Sequence, residues 1–383
     1  MERRGFLRLA GLAGFAPLLA ACARTFNPSL GEMAKPSDGP GKERDSDGLW
    51  REAAAFARWT PSPHNVQPWR LRILSPTRSE LYYDPRRLLP KTDPTSQFTS
   101  VGMAMFVESL SVAVHSNGYK VSPEYVHKPL DYSATKPTLF ATLTLEPFRE
   151  KTFPDRNLIL QRKTSRLPYD GKPIEDSAML NLRAIAEESG HRFEWSSDPA
   201  MVDWTLDLNR FTLFEDLDDE PSRTELRKWI RCSDEEAASK KDGLWSHCMR
   251  FPGWLLKSFF DEHEKYRSGW RRNFCGRMLV KGMKGTRTVS WWSGPVDTPE
   301  DWAKTGHMLA RSWLELTRLG IHLHPFGSII TNPKAYARLK DKLGGKVPAG
   351  RIWLLTRMGR SETPPRSYRV EEPAIFMDEK ELA

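Results

Sequence analysis

Two arginines and a hydroxyl fall within five residues at Arg162-Lys163-Thr164-Ser165-Arg166. Guanidiniums bracketing Thr164 suit a dianionic phosphate, which they address through charge-assisted hydrogen bonds; a basic surface turn has the same composition. A second basic pair, Arg366 and Arg369 in Arg366-Ser367-Tyr368-Arg369, follows Gly359 and Pro364-Pro365. Far upstream, Pro61-Ser62-Pro63-His64-Asn65-Val66-Gln67-Pro68-Trp69 mixes prolines with short polar side chains. Prolines stiffen such a loop, so its backbone amides and the Ser62 and Asn65 side chains can hydrogen-bond a polar ring edge. The bland alternative is a helix-to-strand turn with Asn65 as a turn residue. Pro325-Phe326-Gly327-Ser328 adds a glycine that lets backbone approach a flat ligand closely.

Other chemistries find less support. His322-Leu323-His324 places two imidazoles on one strand face, which could begin a metal site, but no carboxylate or thiol stands near in sequence. There is no G-x-S-x-G, Walker loop or G-x-G-x-x-G. The four cysteines, Cys22, Cys232, Cys248 and Cys275, form no C-x-x-C pair. The net charge of +9 is spread along the chain with no zinc-finger, homeodomain or RNP-type pattern. Nucleic acid is therefore disfavoured as a partner, and a phosphate-bearing cofactor or an anionic membrane surface explains the charge equally well.

The elements that must position these residues repeat. A helix over 49–57 stops at Thr60-Pro61, and strands follow at 69–74 and 80–84. The spacing of Met103, Phe106, Val107, Leu110 and Val114 predicts a helix from Ser100 to Asn117, closed by Gly118, and 138–145 reads as a strand. The second half has a helix over 299–319, closed by Gly320, and a strand at 351–355. Val101-Gly102-Met103-Ala104 echoes Thr305-Gly306-His307-Met308, which suggests an internal duplication. Residues 212–298, including Trp291-Trp292, read as an insertion too apolar for a solvated linker: a lid over a pocket, or extra core.

The first residues read as an address. Arg3-Arg4-Gly5-Phe6-Leu7 matches a twin-arginine export pattern, and the apolar run Leu9–Ala21 has the length of a signal segment, too short to span a bilayer comfortably. It ends Leu19-Ala20-Ala21-Cys22, similar to a bacterial lipobox, which implies cleavage before Cys22 and lipidation of its sulfur. The expected organisation is a signal peptide over 1–21, a tether over 22–47, one half over 48–150 and a second over 151–376.

The Pro61–Trp69 segment resembles the P-S-x-x-N-x-Q-P-W signature of the nitroreductase family, and Arg162-x-Thr164-x-Arg166 resembles that family's R-x-[ST]-x-R. The resemblance covers roughly 48–375. It implies an α+β nitroreductase fold, with two tandem halves mimicking the family's homodimer, and FMN as cofactor. By that resemblance Arg162, Thr164, Arg166 and Arg369, with Arg366 as runner-up, hold the phosphate. Pro61, Ser62, Pro63, Asn65, Gln67, Pro325, Phe326 and Gly327 address the ring. The second half lacks another Q-P-W; its corresponding stretch, Ala184–Ser196, is degenerate. One FMN site per chain follows, split across the halves as in the single-chain, duplicated branch of the family, and a monomer is expected. The activity implied is an exported, lipid-anchored oxidoreductase whose electron donor is a nicotinamide, a quinone or a protein. The alternative is a flavin-binding or storage protein whose site is occluded by the insertion.

Overall fold

The computed structural model describes residues 48–150, 153–344 and 351–382. The export signal, Cys22 and the tether lie outside the described residues. Each half follows the same path of helix, two strands, central helix, two strands. The first half comprises α1 (Gly48–Ala57), β1 (Trp69–Ser75), β2 (Arg78–Tyr83), α2 (Gln97–His115), β3 (Tyr119–Tyr125) and β4 (Thr138–Pro147). A short helix α3 (Asn157–Gln161) leads into the second: α4 (Asp176–Glu188), β5 (Arg192–Ser196), the insertion, then β8 (Thr288–Gly294), α11 (Pro299–Arg318), β9 (His322–Pro325), α12 (Gly327–Thr331), α13 (Pro333–Leu343) and β10 (Arg351–Gly359). The insertion contains α5 (Pro199–Asp218), α6 (Glu220–Trp229), α7 (Asp234–Lys240), α8 (Ser246–Met249), α9 (Gly253–Asp261) and α10 (Gly269–Gly282). Between these helices a two-residue parallel pair forms from β6 (Ile230–Arg231) and β7 (Leu244–Trp245).

The two four-stranded sheets are antiparallel throughout and share one order, β1-β2-β4-β3 and β5-β8-β10-β9. In each, the first strand pairs the second, the second pairs the fourth, and the central helix connects second to third. This α+β architecture agrees with the sequence expectation, and the common order gives the repeat a topological form that sequence identity barely shows. One boundary moves. Trp291 and Trp292 sit in β8, paired with Glu194 and Phe193 of β5 on one side and with Leu355 and Leu354 of β10 on the other. They are core strand residues, not part of a lid.

The central helices α2 and α11 pack face to face. Helix α2 is apolar enough to cross a membrane by length and composition, but it is buried between the halves. Gly306 marks its tightest crossing with α11: a Cβ there would lie 2.5 Å from the Ala104 Cβ and 2.6 Å from the Val101 carbonyl. Buried Glu108 of α2 ties the crossing electrostatically, accepting from His307 Nδ1 and Arg311 Nε of α11, each at 2.7 Å. Burial pushes the Glu108 carboxyl up, but His307 and Arg311 outweigh it and hold the group below its ordinary value. His307 Nε2 in turn meets the Tyr125 hydroxyl at 2.7 Å.

After β10 the chain crosses back over the first half. Met377 N donates to Leu71 O of β1 at 2.9 Å, and Arg58 Nη1 donates to Val370 O at 2.9 Å. This strap carries Arg366 and Arg369 to the end of α1.

Candidate functional site

A cavity of about 430 Å³ opens between the halves. Pro61, Ser62, Pro63, His64 and Asn65 form one wall, Arg162, Thr164 and Arg166 a second, Pro325 and Gly327 a third, and Arg366 and Arg369 a fourth. Four segments separated by up to about three hundred residues therefore meet at one place. Two sequence candidates stand back from it. Phe326 is buried in the core cluster with Ile329, and its N–H is spent on Leu355 O at 2.8 Å. Gln67 is buried and bonded through both ends of its amide: Nε2 donates to Asn65 O (3.2 Å) and Lys241 O (3.0 Å), and Oε1 accepts from Val370 N (2.9 Å). It stitches the loop, the insertion and the C-terminal strap together.

The 61–68 loop is more strained than its prolines suggest. His64, Asn65 and Gln67 all take left-handed backbone angles, with φ of 47°, 57° and 51°. Such conformations cost free energy for residues with a Cβ and persist where the surroundings over-determine them. Here Ser62 Oγ accepts from Gln67 N at 3.0 Å, and Asn65 Nδ2 donates to Gly243 O and Tyr368 O, both at 3.1 Å. The Asn65 amide nitrogen is thus an anchor; its buried Oδ1, with no protein partner, is the atom left for a ligand donor.

The cationic end is built on Trp59. Its carbonyl accepts from Arg162 Nη2 at 3.1 Å, and the Arg366 guanidinium stacks 3.7 Å from its ring centre. Arg162 also lies over the Trp313 ring of α11, at 4.7 Å. Among the described residues no carboxylate pairs with Arg162, Arg166 or Arg369, and buried Arg162 Nε and Nη1 and Arg369 Nε have no protein acceptor. Burial and mutual repulsion push Arg162 far below the usual arginine range, and push Arg366 and Arg369 down to about 9 and about 10. A guanidinium keeps its proton in proteins, so these shifts express an electrostatic cost that a bound dianion would offset. Donor count, charge and burial all fit a phosphate.

The rest of the cavity fits a flat apolar body. Val101, Gly102 and Met105 of α2, Leu309 and Trp313 of α11, and Leu256, Phe259, Phe260 and Leu279 of the insertion line it. Space is open where a Gly327 side chain would project. Two imidazoles line it as well. Burial, with Arg166 nearby, pushes His64 down to about 4. His324 is held well below its ordinary value by burial and by Arg166 and Arg357; its Nδ1 accepts from Arg357 Nε at 3.1 Å. Both rings are neutral at pH 7 and neither is a general acid there. Arg357 is fully buried, and its Nη2 donates to Ser165 O and Leu167 O, so it fixes the Arg162–Arg166 segment from behind. The sequence reading gave Trp59, His64, Trp313 and Arg357 no role in the site, and weighed His324 only as a metal-ligand candidate beside His322. Only Trp59 and His64 carried a local signal, by adjoining the proline-rich segment.

No family model matches the chain. It is 22% identical over 312 residues to "Probable NAD(P)H nitroreductase PigM" of Serratia sp., covering 76% of this chain and 83% of that protein. It is 29% identical over 283 residues to the uncharacterized protein Rv3127 of Mycobacterium tuberculosis, covering 71% and 76%. Among solved structures, the FMN-dependent nitroreductase NfnB of Mycobacterium smegmatis in complex with NADPH aligns over 57% of this chain and 94% of its own, with a TM-score of 0.33 and 14% identity.

Proposed function

We propose that this chain is an FMN-dependent oxidoreductase of the nitroreductase type, with one flavin site per chain formed between its halves. The observation that carries the reading is the convergence of Arg162, Arg166 and Arg369, without paired carboxylates among the described residues, beside the Pro61–Asn65 loop and the Pro325–Gly327 corner. In this reading Arg162, Thr164, Arg166, Arg366 and Arg369 hold the phosphate. Ser62, the Asn65 Oδ1 atom and the Gly327 segment address the ring. Bound FMN supplies the electron transfer, while the protein supplies binding, orientation and exclusion of water. No side-chain acid or base is assigned. The Pro61 loop has no second copy: its counterpart between α4 and β5 is the short turn Ser189–His191. This supports a single site and a monomeric chain.

The name of the Serratia relative supports a nicotinamide donor; the twin-arginine and lipobox pattern favours a quinone or protein donor outside the cytoplasm, with the chain lipid-anchored through Cys22. A second reading, flavin binding without turnover, draws on the insertion residues that wall the same cavity, Leu256, Phe259 and Phe260.

The purified chain should be yellow, with flavin absorption near about 450 nm and one FMN per chain. Arg162→Ala with Arg369→Ala removes two charge-assisted grips of about 1.5–3 kcal/mol each, so FMN affinity should fall at least about a hundredfold. Unchanged flavin retention would show that the phosphate sits elsewhere, and a colourless protein that takes up no FMN would end both readings. Under anaerobic conditions, bleaching by dithionite but not by NADPH would count against a nicotinamide-driven reductase.

A further inference from the structure

We propose that the outer face of α10, together with Trp254 of α9, docks on an anionic lipid surface. Trp254, Trp270 and Phe274 are half of the exposed large apolar side chains among the described residues, and the two indoles are 62% and 72% exposed. The inner sides of the same helices are committed: Leu255, Phe259 and Cys275 pack with Phe214 and Leu217. Along α10 the exposed Trp270, Phe274, Arg277 and Lys281 recur at three- and four-residue spacing and so share one face. The helix contains no Asp or Glu.

Charge selects the occupant. Residues 250–284 hold nine Lys and Arg against three Asp and Glu, +6 of the chain's +9. The three acids are already engaged, Asp261 by Lys257 and Arg227, Glu262 by Lys265, and Glu264 by Arg267. Arg277 and Lys281 have no ion-pair partner among the described residues. Indole rings flanked by cations suit the headgroup layer, where the ring meets the acyl boundary and the cations meet anionic phosphates. They protrude from the surface instead of lining a recess, which favours a fluid lipid surface over a rigid protein partner. The proposal stands on the insertion alone and is independent of the flavin reading.

The test uses the full chain carrying Cys22→Ser, so that no lipid is attached, with vesicles of phosphatidylcholine alone or mixed with phosphatidylglycerol, their acyl chains brominated. Of the 14 tryptophans, Trp254 and Trp270 are the exposed ones, so quenching by brominated chains reports this face. Anionic vesicles should quench the fluorescence and neutral ones much less, with the effect fading as salt rises. Arg277→Glu with Lys281→Glu should weaken vesicle binding about tenfold or more, and Trp254→Ser with Trp270→Ser should remove the quenchable component. Co-sedimentation without quenching would place the attachment in the N-terminal run and overturn the proposal. Equal binding to neutral vesicles would overturn it too, as would a concentration-dependent dimer that the tryptophan variants abolish in a chain that ignores vesicles.

Discussion

Replacing Gly306 by alanine sets a new Cβ 2.5 Å from the Ala104 Cβ, 2.6 Å from the Val101 carbonyl and 3.0 Å from the Met105 amide nitrogen. Ordinary carbon contacts lie at about 3.5–4 Å, so α2 and α11 must separate by about 1 Å. Two of the three obstacles are helix backbone and cannot rotate aside. Overpacking of this kind costs about 1–3 kcal/mol, and the upper end applies here; the better helix propensity of alanine returns about 1 kcal/mol. The net loss is about 2 kcal/mol, or about 3 °C in Tm for a chain of this size. Gly102, its echo in the first half, gives the opposite result. A Cβ there meets Pro63 Cδ at 3.5 Å and the Pro61 carbonyl at 3.7 Å, ordinary contacts. Gly102→Ala should therefore raise Tm by about 1.5 °C through the same propensity term. Thermal denaturation of both variants beside the parent decides the matter. A Tm for Gly306→Ala at or above the parent value would refute the close-crossing account. The same shift in both variants would show that helix propensity alone governs these positions.

Three further outcomes follow from the same geometry. Burial pushes the Asp216 carboxyl up from 3.8 to about 6 against the hydrogen bonds of Asn332 and Ser328. Its ionised form is disfavoured in the fold, so Asp216 by itself contributes stability that grows as pH falls from 7 toward 4, opposed over the same range by the buried neutral rings of His64 and His324. In a urea-denaturation series Asp216→Asn should therefore lose about 2–3 kcal/mol relative to the parent between pH 7 and pH 4, and a pH-independent difference between the two would contradict the assignment. Gln67→Leu leaves Val370 N and Lys241 O without their partner and should cost about 3 kcal/mol. Faster amide exchange should concentrate in 241–243 and 366–377, and uniform exchange would argue against the stitch. His64→Gly relieves a left-handed residue and should stabilise by about 1 kcal/mol; a loss would mean that the imidazole contributes packing or hydrogen bonding that outweighs the strain.

Periodicity located the central helices because each buries a continuous stripe in the core of its own half: Met103, Phe106 and Leu110 from α2, Met308, Leu309 and Leu316 from α11. The start of α2 was placed three residues late. Asp93 fixes it by accepting from the Phe98 and Thr99 amides, and a carboxylate four residues before the first helical residue gives no periodic signal. Strand β8 was read as part of the insertion because a strand buried on both faces shows a run, not an alternation, and a run of aromatics suits a buried helix or a lid as well. Arg357 was invisible for a related reason. A lone arginine in Leu354-Leu355-Thr356-Arg357-Met358 reads as the solvent side of a strand, yet it is fully buried, with Thr286, His324, Ser165 and Leu167 taking its donors.

The residues that proved legible are those whose chemistry is local, and those that were missed serve contacts across the duplication. Arg162-x-Thr164-x-Arg166 states its charge and hydroxyl within five residues. On the proposed reading, what would turn it from a basic turn into a phosphate grip is Trp59 beneath it, Arg357 behind it and the returning strap that adds Arg369, none of them within fifty residues of the segment except through folding. The repeated architecture would explain why a proposed site of this kind occurs once per chain. Both halves offer a helix end followed by a strand, but only the first fills the gap with Pro61–Pro68, and only the first is crossed by the C-terminal strap. At the other gap, Gly190 and His191 close directly onto β5, and the His191 ring is buried against Trp353 instead of facing a cavity. A second ligand there would have to displace core. The asymmetry is thus a packing fact, and it predicts FMN stoichiometry more firmly than the presence or absence of a motif does.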